Sequence, residues 1–188
     1  MGVAPESVRA PDAWLTEVER ERAARFLREQ DRASFVAAHL LVRLAAAAYL
    51  GADPGGLTLV QHCPTHGPGH GKPSILEVPG LGVSLSHTRG YVAAAAGPGR
   101  VGVDAERIKE GPLDRMLAEH VGAGPDVTDN TALIRLWALK EAMIKRGELT
   151  LDRMRERHEP GGHVLEWAEP DGVIVVAVTD VRAERMAV

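Results

Sequence analysis

Residues 82–106 read GVSLSHTRGYVAAAAGPGRVGVDAE, and they decide the fold class. Three short apolar or alternating runs, Gly82–Ser86, Tyr91–Ala96 and Val101–Ala105, are separated by His87–Gly90 and Gly97–Arg100. Runs of this length bounded by Gly and Pro read as strands with turns between them, most simply as an antiparallel meander. On a strand, residues two apart share a face, so Asp104 and Glu106 project two carboxylates together at the end of the third run. Two like charges held close are unfavourable unless a cation lies between them, although a solvated strand end is the commoner explanation of an isolated pair of this kind.

Upstream, Glu17–Gln30 reads as a charged helix. Asp31 then stands as N-cap of a second, Ala- and Leu-rich helix, Arg32–Leu50, which Gly51 stops. Leu57–Gln61 is a short strand candidate. Residues 63–73 are punctuated by Gly and Pro so often that regular structure is not expected. Downstream, a short helix is expected near Leu113–His120. Thr131–Arg146 is a helix with apolar residues at Leu133, Leu136, Trp137, Leu139 and Met143, ended by Gly147. His163–Ala168 and Val173–Thr179 form a hairpin around Glu169–Gly172. Helix then strands, twice over, gives an α+β class with two halves of similar size, 1–98 and 99–188.

Length and composition agree. The chain has 188 residues, 45% hydrophobic and 26% charged, the balance of a soluble globular domain. A formal charge of −4 argues against a general nucleic-acid binder. The single cysteine, Cys63, excludes an internal disulfide framework and fits a reducing compartment. No basic region followed by an apolar run opens the chain, and Phe35–Leu50 is too short and too interrupted to span a bilayer, so a cytoplasmic protein with no membrane partner is expected. Of 22 basic residues only four are lysine: Lys72, Lys109, Lys140 and Lys145. A lysine retained in so arginine-rich a chain marks a position suited to a compact ammonium.

Further stretches carry chemistry. In Trp137-Ala138-Leu139-Lys140-Glu141-Ala142-Met143-Ile144-Lys145, Trp137, Glu141 and Lys145 share one helix face, with Lys140 about a third of a turn away. Alone, Glu141 and Lys145 read as a surface ion pair worth ~0.3–0.5 kcal/mol. His87 stands at the mouth of the strand Val83-Ser84-Leu85-Ser86, where an imidazole could donate to an anion or simply sit in a turn. Gly71-Lys72-Pro73 combines a point charge with a residue that permits close backbone approach. His62, Cys63, His66 and His70 offer four soft ligands within nine residues, but not at a standard zinc spacing. A loop leading to Gly71 is the simpler reading.

In this order and spacing, Gly71-Lys72-Pro73, Ser84–His87, Gly102–Glu106 and Trp137–Lys145 resemble the Sfp-type 4′-phosphopantetheinyl transferases. The helix with Arg32, Phe35, His39 and Arg43 is similar to that family's N-terminal helix. The resemblance implies two α+β halves about a pseudo-two-fold, with coenzyme A in the cleft between them. It implies Mg²⁺-dependent transfer of the 4′-phosphopantetheine arm to a serine of an acyl or peptidyl carrier protein, releasing 3′,5′-ADP. It assigns Asp104, Glu106 and Glu141 to the metal, Glu141 to the serine proton, and His87 and Lys145 to phosphates of coenzyme A. Ser86, Gly71, Lys72 and Pro73 fall on the cofactor side, and Arg22, Arg25 and Arg32 are candidates for the 3′-phosphate. With the cleft formed inside one chain, a monomer is expected. Two departures stand out. Residues 117–130 lack the aromatic–Ser–x–x–Glu segment frequent in the family, and Lys145 is followed by Arg146-Gly147-Glu148 rather than by Gly-x-Gly. A non-catalytic binder of coenzyme A or of a carrier protein on the same fold, and a metal-dependent pyrophosphohydrolase, are the alternatives.

Overall fold

In the computed structural model, which describes residues 1–65 and 67–188, the chain opens with β1 (Gly2–Val3), α1 (Glu17–Ala23) and α2 (Glu29–Leu50). It continues through β2 (Leu59–Cys63), β3 (Gly67–Ile75), β4 (Leu81–Thr88), β5 (Tyr91–Pro98) and β6 (Val101–Arg107). It ends with α3 (Arg115–His120), α4 (Asn130–Arg146), β7 (His163–Ala168) and β8 (Val173–Thr179). The strands form antiparallel sheets in the orders β1-β5-β4, β2-β3 and β6-β8-β7, an arrangement compatible with the α+β class.

The helix boundaries follow from their caps. Thr16 opens α1 with a reciprocal capping box, its backbone N–H donating to Glu19 Oε2 at 2.7 Å and its hydroxyl accepting from the Glu19 N–H. The single helix expected over Glu17–Gln30 stops at Ala23. The turn that follows brings the Phe26 ring to 5.3 Å from that of Phe35, and Arg28 is extended. Asp31 therefore lies inside the first turn of α2, where its charge suits the helix dipole, instead of capping it. Gly51 (φ 64°) and Gly147 (φ 85°) end α2 and α4 in the left-handed region that the sequence assigns to them.

α2 packs Ala38, Leu41, Val42 and Ala46 onto Ile75, Val83, Val92 and Ala94. By length and composition α2 could cross a membrane, but 67% of its most apolar window is buried against these strands, and a core position accounts for its apolarity. Arg43, fully buried, is held by Glu19, by the Leu57 carbonyl and by the His39 carbonyl. That pairing ties α1 to α2 and satisfies a charge that would otherwise be costly to bury. α4 packs Ile134, Ala138, Ala142 and Met143 onto Ile174, Val176 and Val178.

Two expectations need correction. The Gly/Pro-rich stretch is not irregular: β3 pairs with β2 from Leu59↔Ile75 to Cys63↔Gly67, with a register shift between Gln61 and His62. Gly67, Gly69 and Gly71 take positive φ, so glycine here shapes a strand instead of breaking it. The meander also ends after two strands. β4 and β5 pair along their whole length, whereas β6 pairs with β8, in register from Val101↔Thr179 to Arg107↔Val173. The edge of β6 facing β4 meets hydroxyls, not carbonyls. The Val103 N–H donates to Ser84 Oγ (3.0 Å) and the Ala105 N–H to Ser86 Oγ (3.3 Å). Two serines at strand spacing thereby join the two three-stranded sheets.

Candidate active site

The join between β4 and β6 also positions the chemistry. Ser86 and His87 at the end of β4, Asp104 and Glu106 on β6, and Trp137, Glu141 and Lys145 on α4 line one open cleft of about 340 Å³. The three elements meet closely because position 102 has no side chain. A Cβ at Gly102 would lie 1.9 Å from the Ala142 carbonyl oxygen and 2.7 Å from the Arg146 nitrogen. The backbone of α4 therefore rests on β6, and residues one and two steps along each element face each other across the contact.

Lys145 Nζ donates to Asp104 Oδ1 at 2.6 Å, and Ser86 Oγ donates to the same oxygen at 2.8 Å. Asp104 Oδ2 is buried and has no hydrogen-bond partner among the described residues. The Trp137 indole donates to Glu106 Oε1 at 3.0 Å. Ser86 thus has a double duty, accepting from the β6 backbone and donating to the β6 carboxylate.

The carboxylates disturb each other. Burial raises the Glu141 pKa above the ordinary carboxylate value, and Asp104 and Glu106 add to the rise against the opposing pull of Lys145. Glu106 is raised by burial and by Asp104, while the Trp137 indole and Lys145 lower it. His87 is held below the usual histidine value by burial and by Lys145, with Asp31 and Asp104 pulling the other way. Excess negative charge in a half-buried cleft, with one buried carboxylate oxygen unpartnered, fits a divalent cation. Among the described residues no three His, Cys, Asp or Glu side chains stand close enough together to ligate one ion by themselves. Mg²⁺ suits such a site, because it takes one or two carboxylates and completes its shell with water and substrate phosphate.

Comparison with known proteins points the same way. The chain is 29% identical over 175 residues to a 4′-phosphopantetheinyl transferase of Bacillus subtilis, spanning 85% of this chain and 73% of that protein. It is 33% identical over 86 residues to the 4′-phosphopantetheinyl transferase psf-1 of Bacillus pumilus, 41% of this chain and 36% of that one. A further relative, the 4′-phosphopantetheinyl transferase ffp of Bacillus subtilis, is 30% identical over 114 residues, 53% of this chain and 50% of its own. Along most of its length the chain is similar to 4′-phosphopantetheinyl transferases. No family model matches it.

The other residues that the transferase resemblance singles out are spread more widely. Lys72 reaches the far end of α4, where Nζ donates to the Arg146 carbonyl at 3.4 Å. Burial, Arg100 and Arg146 lower its pKa. Gly71 is required by the hairpin itself, since a Cβ there would lie 2.6 Å from the His62 carbonyl oxygen, and its own carbonyl accepts from Gln61 Nε2. Pro73 lies opposite Gln61 in the same hairpin. Arg22 donates to Gln61 Oε1 at 3.0 Å and stacks over Phe35, bordering a separate cavity of about 290 Å³ beneath the hairpin. Arg25 lies in the turn between α1 and α2. Arg32 pairs with Glu29 at 3.0 Å and borders a groove shared with Pro5 and Val8. The three arginines therefore do not converge on the carboxylate cleft. Of the four soft ligands near residue 66, His66 lies outside the described residues.

Three relationships were not read from the sequence. The charge of Asp31, on α2, raises the His87 pKa against burial and Lys145, without a hydrogen bond or ion pair between them. Trp137 holds Glu106, a bond that its place on the Glu141 face could have signalled. Lys140, 3% exposed, donates to the carbonyls of Val121 (2.8 Å), Met154 (2.6 Å) and Glu156 (2.8 Å). It pins two loops to α4 and is not in the cleft.

Proposed function

We propose that the protein transfers the 4′-phosphopantetheine arm of coenzyme A to a serine hydroxyl of an acyl or peptidyl carrier protein, with Mg²⁺, releasing 3′,5′-ADP. The observation that carries this reading is the convergence of Asp104, Glu106, Glu141, Lys145 and His87 on one cleft of a chain whose relatives bear the transferase name. Mg²⁺ held by carboxylates from the set Asp104, Glu106 and Glu141, with water and substrate phosphate completing its shell, would supply neutralisation of the charge on the pyrophosphate. Glu141 takes the serine proton as the serine oxygen bonds to the phosphorus bearing the pantetheine arm and the bond to the bridging oxygen breaks. Lys145, on the same helix face, meets the departing pyrophosphate oxygen. His87, at the mouth of β4, donates to a phosphate of coenzyme A.

In this reading residues 1–98 and 99–188 are the two halves of the enzyme. Lys72, on the N-terminal one, lies towards the adenosine end. The protein works as a monomer in the cytoplasm, where coenzyme A and carrier proteins meet. The deciding experiment incubates it with coenzyme A, Mg²⁺ and a panel of apo carrier proteins and reads carrier mass. The gain of one phosphopantetheine arm is expected. If the folded protein modifies no carrier but binds coenzyme A, the non-catalytic alternative replaces this reading. If phosphate products appear without any carrier, a pyrophosphohydrolase does.

A further inference from the structure

The face of β6 turned away from α4 borders a second cavity. Val101 and Val103 line it, opposite Gly102 and Asp104, so it is separated from the carboxylate cleft by the strand itself. Its volume is about 300 Å³, and its walls include Ala95, Leu165 and Trp167. Residues 181–186, which adopt no regular structure, run along it. That segment is tied down by Arg185, which contacts Glu169 and lies 5.0 Å from the centre of the Trp167 ring. Glu169 is fixed in turn by the Tyr91 hydroxyl (2.7 Å) and the Trp167 indole (3.1 Å).

A cavity with mostly apolar walls suits a hydrocarbon ligand. One of ~150 Å³ accepts benzene, so this one has room for roughly ten to twelve carbon atoms. Its rim is not apolar. Two arginines, Arg182 and Arg185, and one glutamate, Glu184, border it. Arg185 is engaged by Glu169, whereas Arg182 is exposed and has no ion-pair partner among the described residues. A backbone donor is also at hand. β1 pairs with β5 only at Ala93 and Val92, and the Ala94 N–H donates to the Met1 carbonyl. Antiparallel alternation turns the Ala96 N–H to that same outer edge, where no strand and no backbone acceptor meets it among the described residues. An apolar slot with an unpaired guanidinium and a free amide at its mouth matches an alkyl chain ending in a carboxylate.

We propose that this cavity binds a medium-chain fatty carboxylate, its alkyl chain against Val103 and Trp167 and its head group at Arg182 and the Ala96 N–H. The site is independent of the transfer reaction, because its residues lie on the other face of β6.

The test titrates the full chain with sodium decanoate below its micelle-forming concentration, following heat and tryptophan emission. A saturable one-to-one isotherm with an emission change is expected. Trp167→Phe should keep the heat and lose the emission change, which ties the ligand to this wall. Ala95→Phe, verified as folded by its thermal transition, should abolish binding, and Arg182→Ala should weaken it about fivefold, the size of an exposed charge contact. Hexadecanoate should bind at least tenfold more weakly than decanoate, for lack of room. No saturable heat, binding unchanged in Ala95→Phe, or decanol or decylamine matching decanoate would each overturn the proposal.

Discussion

Lys145 Nζ lies 2.6 Å from Asp104 Oδ1, although 41 residues separate them in the chain. The contact joins the last turn of α4 to the middle of β6. Ser86 donates to the same carboxylate oxygen from β4, so three elements close on one atom. The arrangement leaves Asp104 Oδ2 buried and without a hydrogen-bond partner among the described residues, in a cleft already rich in negative charge. In the proposed reaction, positioning a cation and positioning a phosphate would be tasks of one connected set of side chains. The proposed chemistry makes that set testable residue by residue.

Glu141→Gln preserves side-chain shape while removing the proposed base and one negative charge. Transfer to a carrier serine should fall by at least 10²-fold, the lower range for losing a general base. Coenzyme A should still bind, because His87 and Lys145 are untouched. Single-turnover mass spectrometry of the carrier together with calorimetry on coenzyme A measures both. Turnover near the parent rate would remove Glu141 from the proton's path.

Gly102→Ala adds one methyl and meets the helix backbone, with the Ala142 oxygen 1.9 Å from the new Cβ. No flexible side chain can yield there, so α4 must shift. Such overpacking costs about 1–3 kcal/mol, and the shift should also break the Lys145–Asp104 contact and abolish transfer. Gly97→Ala is the matched control. Its Cβ would find its nearest neighbour, Val101 Cγ2, at 4.0 Å, and stability should change little. Thermal unfolding of the two variants side by side decides the matter, and equal losses would contradict the close-approach account.

Lys140→Met removes an ammonium that serves three carbonyls and leaves them without that donor. A loss of about 3 kcal/mol of stability is expected, since each buried acceptor left unpaired costs ~1–3 kcal/mol. Denaturant unfolding checks this; a variant as stable as the parent would show that water replaces the ammonium without cost.

His39 is 2% exposed, and Nδ1 lies 2.8 Å from the Phe35 carbonyl oxygen. Burial holds its pKa below 6.5, against the pull of Glu19 and of the Phe35 carbonyl. The unfolded chain therefore takes up this proton at a higher pH than the folded one. The stability from keeping His39 neutral is complete above about pH 6.5 and declines as pH falls below it towards the folded value. His39→Gln should flatten that part of the profile. Urea unfolding at pH 5.5 and 7.5 measures the slope, and an unchanged slope in the variant would assign it to other groups.

What the sequence made legible was local. α4 is capped by Asp129 and Gly147, and β7–β8 by a turn of Pro, Asp and Gly, so their limits could be read from neighbours in the chain. The carboxylates and Lys145 could be found because strand and helix periods place them on shared faces. What escaped reading depends on distant partners. The break after Ala23 is set by packing of Phe26 on Phe35, and β3 forms because glycines at positive φ let it follow β2. β6 leaves the meander because β8, some 70 residues later, supplies its ladder. The arginines were the least legible. In a chain with 18 of them, side-chain type says little about whether the fold aims one at Gln61, at Glu29 or at a phosphate.

Lysine scarcity gives the last prediction. Of the four lysines, Lys140 is committed to backbone carbonyls and Lys109 to Asp114, which leaves Lys72 and Lys145 for a phosphate donor. The Lys145 ammonium fits between Asp104 and the cleft as a point charge with three donors, one of them used by Oδ1. A guanidinium is larger and planar, and its fork engages a carboxylate edge-on. Lys145→Arg would pair more fully with Asp104, reach its unpartnered Oδ2, and withdraw that carboxylate from the cation it is proposed to hold. Transfer should fall about tenfold or more, and the Mg²⁺ concentration for half-maximal rate should rise. Lys72 meets the Arg146 carbonyl and no carboxylate among the described residues, so Lys72→Arg should cost much less. A Lys145→Arg enzyme with the parent's rate and Mg²⁺ requirement would show that charge alone suffices there, and that lysine at position 145 is not selected by its shape.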